Sequence, residues 1–201
     1  MRNKLKYLVF NKPYQMLSQF TKVEGKKSLG DAGIVYDDVY PIGRLDYDSE
    51  GLLILSNDKY LIHSFTSHNP NHKRTYLAQV EGIFSELAVQ LLSNGVDINV
   101  NGKLYRTKPC KIERILEPAE IPERVPPIRF RKNVPDSWIK ITLSEGKNRQ
   151  VRKMTAKAAF PTLRLIRIAI ENLTLDNIKT GEYVEVDKNY IYRKLKIEMI
   201  S

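Results

Sequence analysis

Apolar positions along this chain fall into short runs rather than long helical stripes. Tyr7 to Phe10, within KYLVF, is a continuous apolar segment closed by Asn11-Lys12-Pro13, and the proline disfavours helix at its predecessor, so the run predicts a buried strand. LLILS (52–56) predicts a second strand, after which Asn57 or Asp58 stands where an N-cap belongs, ahead of a short helix carrying Leu61, Ile62 and Phe65. TYLAQVEG (75–82) alternates as a half-buried strand does. Ser85 is then placed to cap a helix through Leu87, Leu91 and Leu92 that stops near Asn94-Gly95. Short strands, with Asn101-Gly102 as a turn, continue to about Leu116.

Residues 117–136 (EPAEIPERVPPIRFRKNVPD) are too rich in proline for regular structure and predict a loop over the surface. SWIKITL (137–143) alternates cleanly. Ser144-Glu145-Gly146 then turns the chain into a helix expected to begin near Asn148, with Val151, Met154 and Ala158 as its buried stripe. On that wheel Arg149, Lys153 and Lys157 point away from the stripe and Arg152 falls at its border. TLRLIRIAI (162–170) is a strand whose apolar residues change parity: Leu163 and Leu165 share one face, Ile166, Ile168 and Ile170 the other. A bulge or burial on both faces accounts for this. YIYRKLKIEM, near the end, fits one more strand or a short helix. Strands and helices interspersed with hairpin-like connections indicate an α+β fold with a mixed, mainly antiparallel sheet and flanking helices.

At 201 residues and 42% hydrophobic, the chain suits a single domain or two small lobes. Its apolar runs fall well short of the roughly 20 residues that span a bilayer, and the N-terminus lacks a signal-type cleavage pattern, so no membrane association and a cytoplasmic location are expected. Cys110 is the sole cysteine, which excludes an intrachain disulfide and a thiolate metal cluster. His63, His68 and His72 straddle Asn69-Pro70, which breaks any helix that would present them on one face; no metal site is expected. Charge is more informative. Between Arg124 and Arg167 stand twelve Lys or Arg against Asp136 and Glu145, so this segment alone carries the whole net charge of +10. Such concentration suits a polyanion-binding surface.

One stretch crowds acids ahead of an apolar run: GRLDYDSEGLLILSND (43–58). Asp46, beside Asp48, Ser49 and Glu50, admits three readings. The acids can cap the amides of a structural turn. Asp46 can pair with Asp48 or Glu50 across a glycosidic bond. Or Asp46 can be a solitary catalytic carboxylate, kept ionised by an arginine, acting on a nucleic acid. The pattern alone leaves all three open.

That stretch resembles the first motif of the pseudouridine synthases, in the branch that modifies ribosomal RNA. KRTYLAQVEG resembles the second motif, EGKNRQVRKM the third and LRLIRIAI the strand that follows, in the same order and spacing. The resemblance covers roughly residues 6–186 and leaves 187–201 as an extension. It implies the catalytic fold of that family, with two lobes (about 1–65 and 66–186) around a cleft. YLVFNKPYQMLSQFT opens the catalytic part within ten residues of Met1, so the S4-type RNA-binding module common in this branch is expected to be absent. Together with PPIRFRKNVPDSW, this points to one uridine of large-subunit 23S ribosomal RNA as the substrate and to that RNA as the partner, with a monomer as the default state.

The resemblance implies that uracil is detached from C1′ of its ribose, turned and rejoined through C5, without metal or organic cofactor. Asp46 would be the carboxylate that adds to C1′ or takes a proton from C2′. Arg152 would hold it ionised, Tyr76 would stack on the extruded uracil and Leu165 would form an apolar floor. Asp48 and Glu50 are read as structural. Arg44, Arg129, Arg131, Lys132, Lys147, Arg149 and Lys153 are candidates for phosphate contacts. A non-enzymatic ribosome-binding or assembly protein, and a synthase for another RNA, are the competing readings.

Overall fold

A computed structural model describes residues 4–66, 71–128 and 134–198. In chain order, β1 spans Tyr7–Lys12, β2 Met16–Leu17, β3 Lys27–Ser28, β4 Tyr40–Ile42 and β5 Glu50–Ser56, followed by helix α1, Lys59–Thr66. Next come β6 (Arg74–Glu81), α2 (Glu86–Ser93), β7 (Asp97–Val100), β8 (Lys103–Arg106) and β9 (Lys111–Ile115). β10 (Asp136–Leu143), α3 (Gln150–Lys157), β11 (Thr162–Ile170), β12 (Leu173–Thr174), β13 (Tyr183–Glu185) and α4 (Lys188–Leu195) complete the chain. The pairs β1–β13, β1–β5, β4–β5, β6–β10, β9–β10, β11–β12 and β7–β8 are antiparallel, and the short β2–β3 pair is parallel. The α+β expectation holds. Among the described residues no helix is long and apolar enough to cross a membrane.

The first compact unit combines Met1–His72 with Arg167–Ser201. Its strand order is β13-β1-β5, with the Arg167–Ile170 part of β11 beside β5, β4 on the flank of β5 and β12 on β11. β1 runs to Lys12, past the expected break, because Asn11 and Lys12 still pair with Leu52 and Gly51; a residue before proline is pushed towards extended backbone, which a strand accommodates. Val9, Ile54, Leu61, Ile170, Ile191 and Leu195 pack in one buried cluster. Asp58 joins its elements. Oδ1 accepts the N–H groups of Tyr60 (3.0 Å) and Leu61 (3.3 Å), capping α1, while Oδ2 accepts the hydroxyls of Tyr7 (2.6 Å) and Tyr192 (2.7 Å). Burial alone would raise its pKa, but the Tyr7, Tyr192 and backbone hydrogen bonds outweigh it and hold the carboxyl below the usual range. Within the C-terminal extension, α4 is thus built into this core.

The second unit is the continuous stretch Lys73–Ile166. The Thr162–Ile166 part of β11, then β6, β10 and β9, lie side by side. Ala78, Val80, Phe84, Ile139, Ile141 and Met154 belong to its buried cluster. Asn101 and Gly102 both have positive φ (52° and 81°), as a two-residue β7–β8 hairpin requires. The Ser85 hydroxyl accepts the Ala88 N–H (3.2 Å), so α2 starts where expected. Its buried face is Ala88 and Leu92, however; Leu87 and Leu91 are exposed. β11 shows burial on both faces from Arg164 to Arg167, which explains the change of parity.

Candidate active site

Asp46 is held by its neighbours in the first unit. Leu45 is buried, its N–H donates to the Ser18 hydroxyl (3.1 Å), and that hydroxyl donates back to the Leu45 carbonyl (2.8 Å). Ser18 therefore grips both polar groups of the residue just before Asp46. After Asp46 the chain turns through Tyr47-Asp48, closed by the Ser49 N–H on the Asp46 carbonyl (3.0 Å). The half-buried carboxylate thus projects from a short segment fixed on both sides. Glu50, the first residue of β5, is buried, and Asp48 is half-buried.

Lys12 lies entirely beneath the surface and donates to the carbonyls of Pro13 (3.0 Å) and Met16 (2.8 Å). Burial pushes its pKa down to about 7 and the Arg167 charge adds to this, while Glu50, Asp48 and Asp46 act in the opposite direction. A neutral amine still has two hydrogens for the two carbonyls. The unfolded chain keeps the proton up to its ordinary value of 10.5, so the folded state binds fewer protons between about 7 and 10.5 and stability rises with pH across that window. Lys12→Met removes this slope. Denaturant titrations of both proteins between pH 6 and 10 are expected to show the wild type gaining on the variant as pH rises; parallel curves would refute the buried neutral lysine.

Arg167 is also buried, donating from Nε to the Leu52 carbonyl (2.8 Å), while its Nη2 is buried without a hydrogen-bond partner among the described residues. Arg164 is buried and donates to the Pro122 carbonyl (2.9 Å). These two arginines correct the view of residues 124–167 as one basic surface: part of that charge holds backbone inside the protein.

The second unit carries Tyr76, Arg152 and Leu165. Tyr76, half-buried in mid-β6, pairs with Ile141 of β10 and packs against the cluster that contains Leu165, which is itself buried on neighbouring β11. Arg152, in the first turn of α3, is half-buried and donates from Nη1 to the carbonyl of Thr162, the first residue of β11 (3.2 Å). α3 starts at Gln150 rather than near Asn148, because Arg149 adopts a left-handed conformation (φ 52°, ψ 35°) as its N-cap. Arg149 is therefore an exposed loop residue, not a member of the polar helical face. Lys147 is exposed with its ammonium over the Tyr105 ring (4.7 Å), and the half-buried Lys153 donates to Asn148 Oδ1 (3.2 Å). Arg44 is exposed in the first unit. Arg129, Arg131, Lys132 and His68 lie outside the described residues.

Ser18 and Lys12 escape sequence reasoning. A serine 27 residues from its partner carries no local signal, and hydropathy assigns a lysine to the surface.

The model describing the RNA pseudouridylate synthase family matches residues 6–157. The chain belongs to this family, and the enzyme is an RNA pseudouridine synthase. It is 45% identical over 181 residues to the ribosomal large subunit pseudouridine synthase E of Vibrio parahaemolyticus, an alignment covering 90% of this chain and 74% of that one. Identity is 46% over 174 residues to the protein of the same name from Xanthomonas axonopodis pv. citri, covering 84% and 87% of the two chains. A crystal structure of a pseudouridylate synthase superposes with a TM-score of 0.76 at 25% identity, over 96% of this chain and 74% of that one.

Proposed function

We propose that the protein converts one uridine of large-subunit 23S ribosomal RNA to pseudouridine, with Asp46 as the catalytic carboxylate. The observation that carries the substrate is the 45% identity, over 90% of the chain, to a synthase named for the large ribosomal subunit. The base leaves C1′, turns and reattaches through C5; the C5 hydrogen passes to nitrogen, so atoms balance with no net oxidation. A carboxylate on a segment gripped by Ser18 suits the step at the sugar, where displacement by an ångström costs rate. Tyr76 and Leu165 take the aromatic and apolar roles at the extruded uracil, and Arg152 supplies the guanidinium of the third motif.

Extruding a base from folded RNA costs a few kcal/mol, roughly, and phosphate contacts must offset it. Lys147, Arg149 and Arg44 are exposed cations fit for this, whereas Lys153 is partly occupied by Asn148. RNA binding is accordingly expected to weaken steeply with salt, and Lys147→Ala and Arg149→Ala each to lower the slope of log Kd against log salt by about 0.7 to 0.9. Unchanged slopes in a filter-binding titration would remove these two from the interface. The decisive test of function compares pseudouridine maps of all stable RNAs with and without this gene. One lost position in 23S RNA, restored by the wild-type gene, is the expected result; a lost position in another RNA, or none, overturns the reading.

A further inference from the structure

Glu145, at the turn into α3, is a buried carboxylate that accepts three hydrogen bonds from one neighbourhood. Oε1 accepts the Lys108 N–H (2.9 Å) and the Gln150 side-chain amide (2.6 Å), and Oε2 accepts the Tyr105 hydroxyl (2.5 Å). Gln150 is itself buried, and its carbonyl oxygen accepts the Lys147 N–H (2.9 Å). The loop carrying Lys147 and Arg149 is thus pinned where it leaves β10 and again where it enters α3. Tyr105, on β8, holds the carboxylate by its hydroxyl and faces the Lys147 ammonium with its ring.

Among the described residues Glu145 is held by the Tyr105 hydroxyl, the Gln150 amide and the Lys108 N–H, so a change to any one of these donors is felt at the turn. The left-handed backbone of Arg149 (φ 52°, ψ 35°) is strained for a side-chain-bearing residue and persists only where its surroundings over-determine it. What the network does accomplish is geometric. It fixes the two arginines of the third motif, one before the helix and one in its first turn, relative to the β7–β8 hairpin.

We propose that Tyr105, Glu145 and Gln150 form a positioning device that sets Arg149 and Arg152 for the reaction and couples them to the β7–β8 hairpin. None of the three touches substrate; they act through the arginines. The inference rests on the proposed function, in which those arginines serve RNA binding and the step at the sugar.

The test measures single-turnover pseudouridine formation on 23S RNA, RNA Kd and thermal stability for Glu145→Gln, Tyr105→Phe and Gln150→Leu. The expected result is a fall of about tenfold or more in rate per folded molecule. Glu145→Gln is also expected to weaken RNA binding in the wild-type background but to leave Kd unchanged once Arg149→Ala is present, because the two changes then remove the same contact. Full rates per folded molecule, or additive effects on Kd, overturn the proposal and leave only a stabilising turn. If Glu145→Gln does not fold, Tyr105→Phe, which removes a single hydroxyl, carries the rate test and the cycle with Arg149→Ala. Asp46→Asn and Arg152→Ala serve as references: if both retain full activity, the proposed function has failed rather than this device.

Discussion

Asp46→Asn is expected to reduce pseudouridine formation by at least about a thousandfold, the scale of losing a group that takes part directly in bond making or proton transfer. The change keeps the shape of the side chain and removes only its charge. The Ser18 clamp and the turn to Ser49 use backbone groups of Leu45 and Asp46, so both survive. Thermal stability and RNA affinity are therefore expected to stay near wild type while turnover disappears. Treating unmodified 23S RNA with each protein and mapping the product checks this, and retained activity in the variant would end the assignment of Asp46. Asp48→Asn and Glu50→Gln together separate the rival glycosidase-like pairing: with a single catalytic carboxylate both keep turnover, and with a working pair one of them does not.

Gly51→Ala is expected to be the most damaging small substitution in the first unit. Gly51 has φ +104°, and a Cβ there would fall on the carbonyl oxygen of Arg167, with the Arg167 nitrogen 2.8 Å away. Both obstacles are backbone, on a strand beside β5, so neither can swing aside. A loss of at least about 3 kcal/mol follows, or a fall in Tm of about 6–12 °C for a chain of this size. Gly102→Ala is the matched control. It also has positive φ (+81°) but nothing within 4 Å of the added carbon, so only the conformational cost of about 1 kcal/mol applies. Equal losses in the two variants by thermal unfolding would show that close approach to Arg167 is not what requires glycine at 51.

Most strands and caps are legible in the sequence because they depend on local pattern. β10 alternates, Ser85 and Asp58 are good caps, and β11 has the predicted bounds. The start of α3 is not legible, since nothing about an arginine announces the left-handed conformation that delays the helix to Gln150. The buried face of α2 is only partly legible: of Leu87, Leu91 and Leu92, which carry its apolar pattern, only Leu92 is buried, with Ala88 beside it. At the site, residue types alone left Asp46 among three readings, and the family motifs singled it out. Ser18, which holds the residue before Asp46, lay beyond pattern because it acts from an earlier loop, as Arg167 does on the Leu52 carbonyl and, in the second unit, Tyr105 on Glu145 40 residues away. Arg164 and Arg167 look like two more charges of a basic surface until their burial is seen.

The split of the first unit between the two ends of the chain has a consequence for biosynthesis. As the polypeptide leaves the ribosome, Lys73–Ile166 emerges whole and can close on itself, whereas the preceding stretch still lacks β12, β13 and the Tyr192 hydroxyl that meets Asp58. Limited proteolysis of nascent chains stalled at residue 170 and outside the exit tunnel is expected to find the middle segment protected and the N-terminal one still open to cleavage. The part made first is completed last, so the unit that holds Asp46 closes only after residues 167–195 have been made.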